Sequence, residues 1–204
     1  MKKKIELVDT NSKVDKENRL LEEAFKLFMS KGIKDTSIQD IVNNANVAKG
    51  TFYLYFNDKY ELRDVLIIKH SQKLFNSALK KLEKSNINDF SEQIIFIIDY
   101  VIDELTKKPL LLQFISKNLG LGIYNKFIAT LHSNINDEKS GVYDLFLKGV
   151  SENNIKLENP TVTLFMIIEL VSSTCFTCIL YKDPLPIKEY KPILYKEIRK
   201  MLEF

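Results

Sequence analysis

Between Thr36 and Phe56, apolar residues recur at the spacing of two short helices separated by a turn. Ser37, followed by Asp40 three residues later, forms the capping-box pattern with which many helices begin. Asn46 is typical of a turn that needs a left-handed backbone, because asparagine tolerates that conformation better than most residues. The first helix has one apolar face, at positions i, i+3, i+4 and i+7: Ile38, Ile41, Val42 and Ala45.

The second short helix has an apolar side and an unusual aromatic and basic side. Val47, Phe52 and Phe56 are expected to point towards the core. Two helices joined by such a turn form a helix-turn-helix, whose second helix enters the major groove of DNA. The pattern leaves five residues facing outwards: Lys49, Gly50, Thr51, Tyr53 and Tyr55.

Helical periodicity continues through the rest of the chain, without persuasive strand alternation, repeats or low-complexity tracts. We predict a first helix over 16–31 that ends at Gly32, and a long fourth helix from Asp58 to about residue 84. The fold class is therefore all-α. Further helices are predicted over 88–107, 109–120, 123–132, 137–153, 160–182 and 191–203.

This organisation divides the chain into three parts. Residues 1–15 are predicted to form a flexible basic arm, and residues 16–62 a three-helix DNA-binding domain with its helix-turn-helix at about 37–56. The long fourth helix joins this domain to a larger helical domain over 63–204. Two interpretations of the lysines in the arm stay open. They contact the DNA backbone or minor groove, or they belong to a solvated tail.

The run Val-Ala-Lys-Gly-Thr-Phe-Tyr-Leu-Tyr-Phe at 47–56, followed by Asn-Asp-Lys at 57–59 and by Leu62, resembles the signature of the tetracycline-repressor (TetR) family. The resemblance is specific over about 19–66, and beyond it only length and the helical pattern agree. It implies a regulator that binds double-stranded DNA as a homodimer, because two copies on a two-fold axis read a palindrome. It also implies that the larger domain binds a small-molecule effector and forms the dimer.

Two positions depart from the family pattern. Members commonly carry glycine in the turn, where this chain has Asn46, and often serine before the Lys-Gly pair, where it has Ala48. Losing a side-chain cap costs about 0.5–2 kcal/mol and removes one possible phosphate contact. These departures affect how the second helix is anchored and leave the fold prediction unchanged.

The resemblance assigns roles on the first helix of the motif and at the end of the second. Ser37 is predicted to contact phosphate and Gln39 to face the bases, since glutamine can pair with adenine through two hydrogen bonds. An ordinary solvated helix residue remains an alternative for Gln39. Tyr55 and Lys59 are predicted to contact phosphates of the DNA backbone. Such contacts position the protein without specifying a sequence.

The second helix carries the predicted reading residues. Lys49 is expected to contact a phosphate or a base edge, and Gly50 to allow close approach of the backbone. Thr51 offers a hydroxyl and a methyl group, and Tyr53 a ring for a thymine methyl together with a hydroxyl. An exposed tyrosine pair beside a lysine is poorly explained as ordinary solvated surface.

Charge supports this interpretation through its distribution. The net charge of +3 over 204 residues is too small to indicate general binding of polyanions. From Ile41 to Asn57, however, the chain has one lysine and no acidic residue. The predicted DNA face therefore has no carboxylate that would repel phosphate.

Cysteine usage and hydropathy favour a cytoplasmic protein without a membrane anchor. Cys175 and Cys178 lie in an apolar helical stretch, and no cluster of further metal ligands is visible, so no metal and no cofactor are expected. The stretch from Val162 to Tyr181 is about long enough to span a bilayer. It contains Glu169 and several hydroxyl residues, which favours a buried helix.

Candidate effector and dimer residues follow from composition within the larger domain. Glu169 either pairs with a cationic ligand or meets a basic residue at a helix interface. The sequence does not separate contacts between chains from contacts within one chain. The pocket candidates are Phe96, Tyr100, Phe114, Tyr124, Phe127, Glu169 and Phe176, and the dimer candidates are Val142, Leu145, Phe146, Leu164, Ile168 and Val171.

We therefore predict a sequence-specific transcriptional regulator, a repressor released from a palindromic operator by a small apolar or amphipathic ligand. The alternatives are a DNA-binding architectural or division-linked factor without such a switch, and a protein–protein adaptor. An enzyme is not expected, because His70 and His132 are isolated and no phosphate loop, nucleophile elbow or carboxylate pair is present.

Overall fold

The computed structural model describes the backbone of residues 2–120 and 141–202, with nearly all side chains from residue 14 onwards. Within these ranges the regular secondary structure is entirely helical, as predicted. The helix predicted over 123–132 lies outside the described residues. The described helices are α1 (Lys2–Lys31), α2 (Ile38–Asn44), α3 (Lys49–Tyr53), α4 (Lys59–Leu82), α5 (Phe90–Thr106), α6 (Pro109–Ile115), α7 (Gly141–Glu152), α8 (Pro160–Leu180) and α9 (Ile187–Leu202), with a 3-10 turn at Ser116–Asn118.

Helix α1 begins at Lys2, which differs from the flexible arm predicted over residues 1–15. No glycine or proline occurs before Gly32, so nothing in the sequence interrupts a helical backbone. Gly32 has a φ of 84° and follows the last helical residue, as predicted.

The described chain divides into two compact units, with the boundary between Leu66 and Ile67, inside α4. The first unit contains α1, α2, α3 and the start of α4. Asp58 caps α4 as predicted, because its Oδ1 accepts the backbone N–H groups of Tyr60 and Glu61, each at 2.8 Å.

Helices α5 and α8 supply much of the core of the second unit, and each begins at a residue whose side chain caps it. The Asp89 side chain accepts the backbone N–H of Glu92 at 2.9 Å, and Asn159 Oδ1 accepts that of Val162 at 3.2 Å. Pro160 takes the first helical position of α8, where its missing N–H leaves no hydrogen bond unmade.

Helix α9 is held against α5 by a row of polar contacts. Arg199 donates to both carboxylate oxygens of Glu92, at 2.6 and 3.1 Å, and Lys191 donates to Asp99 at 2.6 Å. Burial opposes ionisation of Asp99, but the hydrogen bonds from Lys191 and Tyr195 outweigh it and keep the pKa of Asp99 below its ordinary value. These contacts lie along a helix that begins at Ile187, four residues before the predicted start.

Among the described helices, α8 is long and apolar enough to cross a membrane by length and composition alone. That test is weak, because the core helix of a globular protein also passes it. Residues along α8 are buried within the second unit, including Leu164, Ile168 and Cys175. This burial is what the sequence predicted for the stretch.

Candidate nucleic-acid interface

The start of α2 is fixed by a capping box, as predicted. The backbone N–H of Asp40 donates to Ser37 Oγ at 3.0 Å, and that of Ser37 donates to Asp40 Oδ2 at 2.9 Å. Lys31 Nζ also donates to Asp40 Oδ2, at 2.8 Å. The hydrogen bond from Lys31, followed by those from Ser37, holds the pKa of Asp40 well below its usual range. Asp40 therefore carries its charge at neutral pH, and this charge is already paired inside the unit.

The turn after α2 has the predicted backbone. Asn46 has a φ of 52°, in the left-handed region. The backbone N–H of Val47 donates to the carbonyl oxygen of Val42 at 3.0 Å, which closes the turn. Ile41, Val42 and Ala45 are buried, so the predicted apolar face of α2 does face the core.

Aromatic packing anchors α3 to the first unit. Phe52 and Phe56 are fully buried, with ring centroids 5.6 Å apart, as the sequence predicts. Val47 is half-buried. Ala48, at the N-cap position of α3, makes no side-chain hydrogen bond. The buried phenylalanines therefore hold this five-residue helix in place without help from a side-chain cap.

The outer side of α3 carries the predicted reading residues. Lys49 and Gly50 are exposed, and Tyr53 is 53% exposed, with its ring edge-on to Phe52 at 5.4 Å. Thr51 and Tyr55 are half-buried. Apart from its chain neighbours and the backbone of its own helix, a β-carbon added at Gly50 would meet no atom within 4 Å, so packing inside the protein does not require glycine there. This open space suits the close approach of an external molecule.

Gln39 lies on the exposed side of α2, and its amide is already engaged. Gln39 Nε2 donates to Asn43 Oδ1 at 2.8 Å, one helical turn further along. Sequence reasoning did not single out Asn43. The spacing i, i+4 between two amides on the solvent side of α2 is the signal that would have identified this pair.

The sequence did not predict the contacts that the Lys59 side chain makes inside the unit. Its ammonium group donates to the carbonyl oxygens of Ile33, Lys34 and Thr36, at 2.8, 3.0 and 2.8 Å. Exposed Tyr60 lies beside it, with Lys59 Nζ 5.6 Å from the ring centroid. The predicted phosphate contact of Lys59 therefore competes with three hydrogen bonds inside the unit.

The second unit contains an apolar cavity of about 40 Å³. It is lined entirely by apolar side chains, mainly from α5 and α8. The predicted pocket residues Phe96, Tyr100, Phe114 and Phe176 pack at the edge of the core instead, and Glu169 is exposed. None of these five lines the cavity. The two other candidates, Tyr124 and Phe127, lie outside the described residues.

The residues predicted for the dimer interface occupy the core of a single chain. Leu145 is half-buried, and the other five are buried without any partner chain. A side chain that is already buried offers little surface to a second copy, so burial within one chain argues against a dimer role for these five. Four of them line the cavity: Val142, Leu164, Ile168 and Val171.

These features define the class of the protein: an all-helical protein whose N-terminal unit is a helix-turn-helix with an exposed basic and aromatic second helix. The family model of bacterial regulatory proteins, tetR family, matches residues 20–66. The N-terminal helix-turn-helix unit is therefore similar to that of TetR-family transcriptional regulators.

Relatives of the chain are described as helix-turn-helix transcriptional regulators. The chain is 25% identical over 169 residues to the uncharacterized HTH-type transcriptional regulator YhgD of Bacillus subtilis (strain 168), covering 80% of this chain and 84% of YhgD. It is 37% identical over 65 residues to the uncharacterized HTH-type transcriptional regulator YuxN of the same organism, which is 32% of this chain but only 22% of YuxN.

Two solved structures share the fold over most of the chain. RolR in complex with resorcinol has a TM-score of 0.67 at 15% identity, covering 95% of this chain and 90% of RolR. FadR of Bacillus subtilis in complex with stearoyl-CoA has a TM-score of 0.57 at 16% identity, covering 88% of this chain and 96% of FadR. At these identities the similarity establishes the fold alone.

Proposed function

We propose that this regulator is a cytoplasmic, homodimeric repressor that reads a palindromic operator and is released from it by a small apolar or amphipathic ligand. The observation that carries the proposal is the outer side of α3, where exposed Lys49 and Tyr53 stand on a helix anchored by buried Phe52 and Phe56. Such a helix presents its side chains to a groove in a defined orientation, which specific reading requires.

The proposed contacts of this surface are of two kinds: contacts with base edges, which read the sequence, and contacts with the DNA backbone, which position the protein. Tyr53 and Thr51 read base edges, and Lys49 contacts a phosphate or a base edge. Gln39 acts together with Asn43, because their shared hydrogen bond restricts the orientation of the Gln39 amide. Ser37 and Tyr55 contact the backbone of the DNA.

An exposed apolar patch on α8 supports the dimer. Val162, Phe165 and Met166 are 47%, 50% and 47% exposed, on the side of the helix opposite to the buried residues. Large apolar side chains exposed next to one another on a helix are a candidate interaction surface. A second copy of the chain meeting this patch would bury it and supply the two-fold axis that a palindrome needs.

The cavity supports an apolar effector. Its lining offers only dispersion and hydrophobic contacts, so a ligand there is recognised by shape and apolar area. RolR and FadR were solved with resorcinol and stearoyl-CoA, and this chain shares their fold. A ligand of either size requires the cavity to expand, because sites for such molecules usually measure roughly 300–1,000 Å³.

The small size of the cavity also favours the second candidate function, a DNA-binding factor without a small-molecule switch. A ligand releases the operator only if it binds one of two conformations more tightly than the other. A cavity that does not expand would bind no such ligand.

Selection of bound sequences from a random duplex pool tests the DNA-binding function. We expect a palindrome with two half-sites, retained by a dimer, with an affinity that falls steeply with salt because lysines displace counterions. Binding without a recovered motif would favour the architectural factor. No binding at all would contradict the regulator and favour the adaptor.

A variant that fills the cavity tests whether a ligand bound there releases the operator. Val171→Ile adds one methylene to a residue that lines the cavity. With stearoyl-CoA and resorcinol as probes, we expect Val171→Ile to reduce both the ligand-induced rise in Tm and the release of operator relative to the wild type. A response of Val171→Ile equal to that of the wild type would place the ligand elsewhere.

A further inference from the structure

Lys59 is the first residue of α4, and its side chain reaches back to the turn between α1 and α2. An ammonium group has three N–H donors and no acceptor. The three hydrogen bonds to the carbonyl oxygens of Ile33, Lys34 and Thr36 therefore use every donor that Lys59 has. A phosphate contact would require at least one of these bonds to break.

The turn that Lys59 contacts is the segment that leads directly into α2. Thr36 is buried, and its hydroxyl donates to the carbonyl oxygen of Gly32 at 2.7 Å. The next residue, Ser37, begins the capping box of α2. Lys59 thus ties the start of α4 to the start of α2, while α3 lies between these two points in the chain. All these residues belong to the first compact unit.

We infer that Lys59 is a positioning residue, which sets the orientation of α2 and α3 for DNA reading and does not contact phosphate. Hydrogen bonds from a charged donor are roughly twice as strong as neutral ones, so three of them define this corner of the unit firmly. Two of the bonds are partly buried, where water replaces them poorly.

The two roles of Lys59 differ in a measurable way. Loss of a phosphate contact weakens binding to all DNA sequences alike and lowers the salt slope by about 1. Loss of a positioning contact disturbs the reading residues, so it lowers specific binding more than non-specific binding. A residue that only stabilises the fold would change neither the slope nor the ratio of specific to non-specific affinity.

Lys59→Met tests the inference, with Lys34→Met as the matched control. Methionine keeps an unbranched apolar side chain but has no donor. Lys34→Met removes the same charge from the exposed lysine of the same turn and leaves the backbone carbonyl in place. Affinities of full-length protein for its selected operator and for an unrelated duplex of equal length are measured over a range of salt, together with the Tm of the free protein.

Relative to Lys34→Met, we expect Lys59→Met to lose roughly tenfold or more in operator affinity, the effect of losing one hydrogen bond from a charged group. Its affinity for the unrelated duplex and its salt slope should match the control, and its Tm should be lower. An equal loss on both duplexes with a reduced slope would make Lys59 a phosphate contact. A lower Tm with an unchanged affinity ratio would make it a stabilising residue only, and either result overturns the inference.

The inference rests on sequence-specific DNA binding, but its failure can be told apart from a failure of that function. If wild-type protein selects no DNA motif, the proposed function fails. The structural role of the three hydrogen bonds is then still tested in the free protein. If Lys59→Met has the same Tm as Lys34→Met, these bonds do not hold the first unit together.

Discussion

Tyr53→Ala is expected to weaken specific operator binding by about 1–3 kcal/mol, the usual effect of losing one base contact. Tyr53 is more than half exposed on the outer side of α3, so its ring and hydroxyl are available to a groove. Because its ring meets Phe52 only edge-on, the variant should keep the fold, with a decrease in the free energy of unfolding of about 1 kcal/mol or less. Titration of the selected operator, and urea denaturation of the free protein, measure the two quantities.

Tyr181→Ala is the matched control, because Tyr181 is 68% exposed at the end of α8, in the second unit. It should bind the operator as the wild type does. Tyr53→Phe separates the hydroxyl from the ring: retained affinity would assign the contact to the ring alone. If Tyr53→Ala binds the operator with unchanged affinity, the outer side of α3 is not the reading surface.

Gly149→Ala is expected to lower the free energy of unfolding by about 1–3 kcal/mol, the usual effect of overpacking a core. A β-carbon at Gly149 would lie 2.0 Å from Cε2 of Phe90, which is far inside van der Waals contact. Phe90 is itself buried and packs against Phe146, with ring centroids 5.7 Å apart, so its ring has little room to move. The better helix propensity of alanine, about 0.5–1 kcal/mol, offsets only part of this effect. Urea denaturation followed by circular dichroism measures the change.

Two further variants separate the clash from other effects of the substitution. Gly50→Ala makes the same change where no atom lies within 4 Å, and its free energy of unfolding should equal or slightly exceed that of the wild type. Adding Phe90→Leu to Gly149→Ala should restore part of the lost stability by making room. A double variant that is less stable than the sum of the two single changes would show that the ring is not the cause.

Most of the DNA-binding unit could be predicted because its determinants are local in sequence. The capping box joins residues three apart, and the turn depends on the backbone preference of Asn46 alone. Phe52 and Phe56 are one helical turn apart, so periodicity places them on the same side. In each case the interacting groups lie within one or two turns of each other.

The second unit was harder to predict because apolar residues lie on more than one side of α8. Periodicity does not distinguish Leu164 and Ile168, which are buried, from Phe165 and Met166, which are half exposed. Which side faces the core depends on α5 and the other helices that pack against α8. The three dimer candidates on α8, Leu164, Ile168 and Val171, therefore lie on its buried side, and the aromatic pocket candidates stay a prediction.

The amino-acid sequence by itself determined the helical class, the helix-turn-helix and its outward residues, because helix caps, turns and apolar periodicity act between near neighbours. Only the tertiary structure decided the surrounding of Lys59, whose three partners lie 23 to 26 residues earlier in the chain. It also decided which apolar residues enclose the cavity and which remain exposed on α8. The physical reason is the same for both: a long side chain or an apolar surface has many possible partners, and packing of distant segments selects among them.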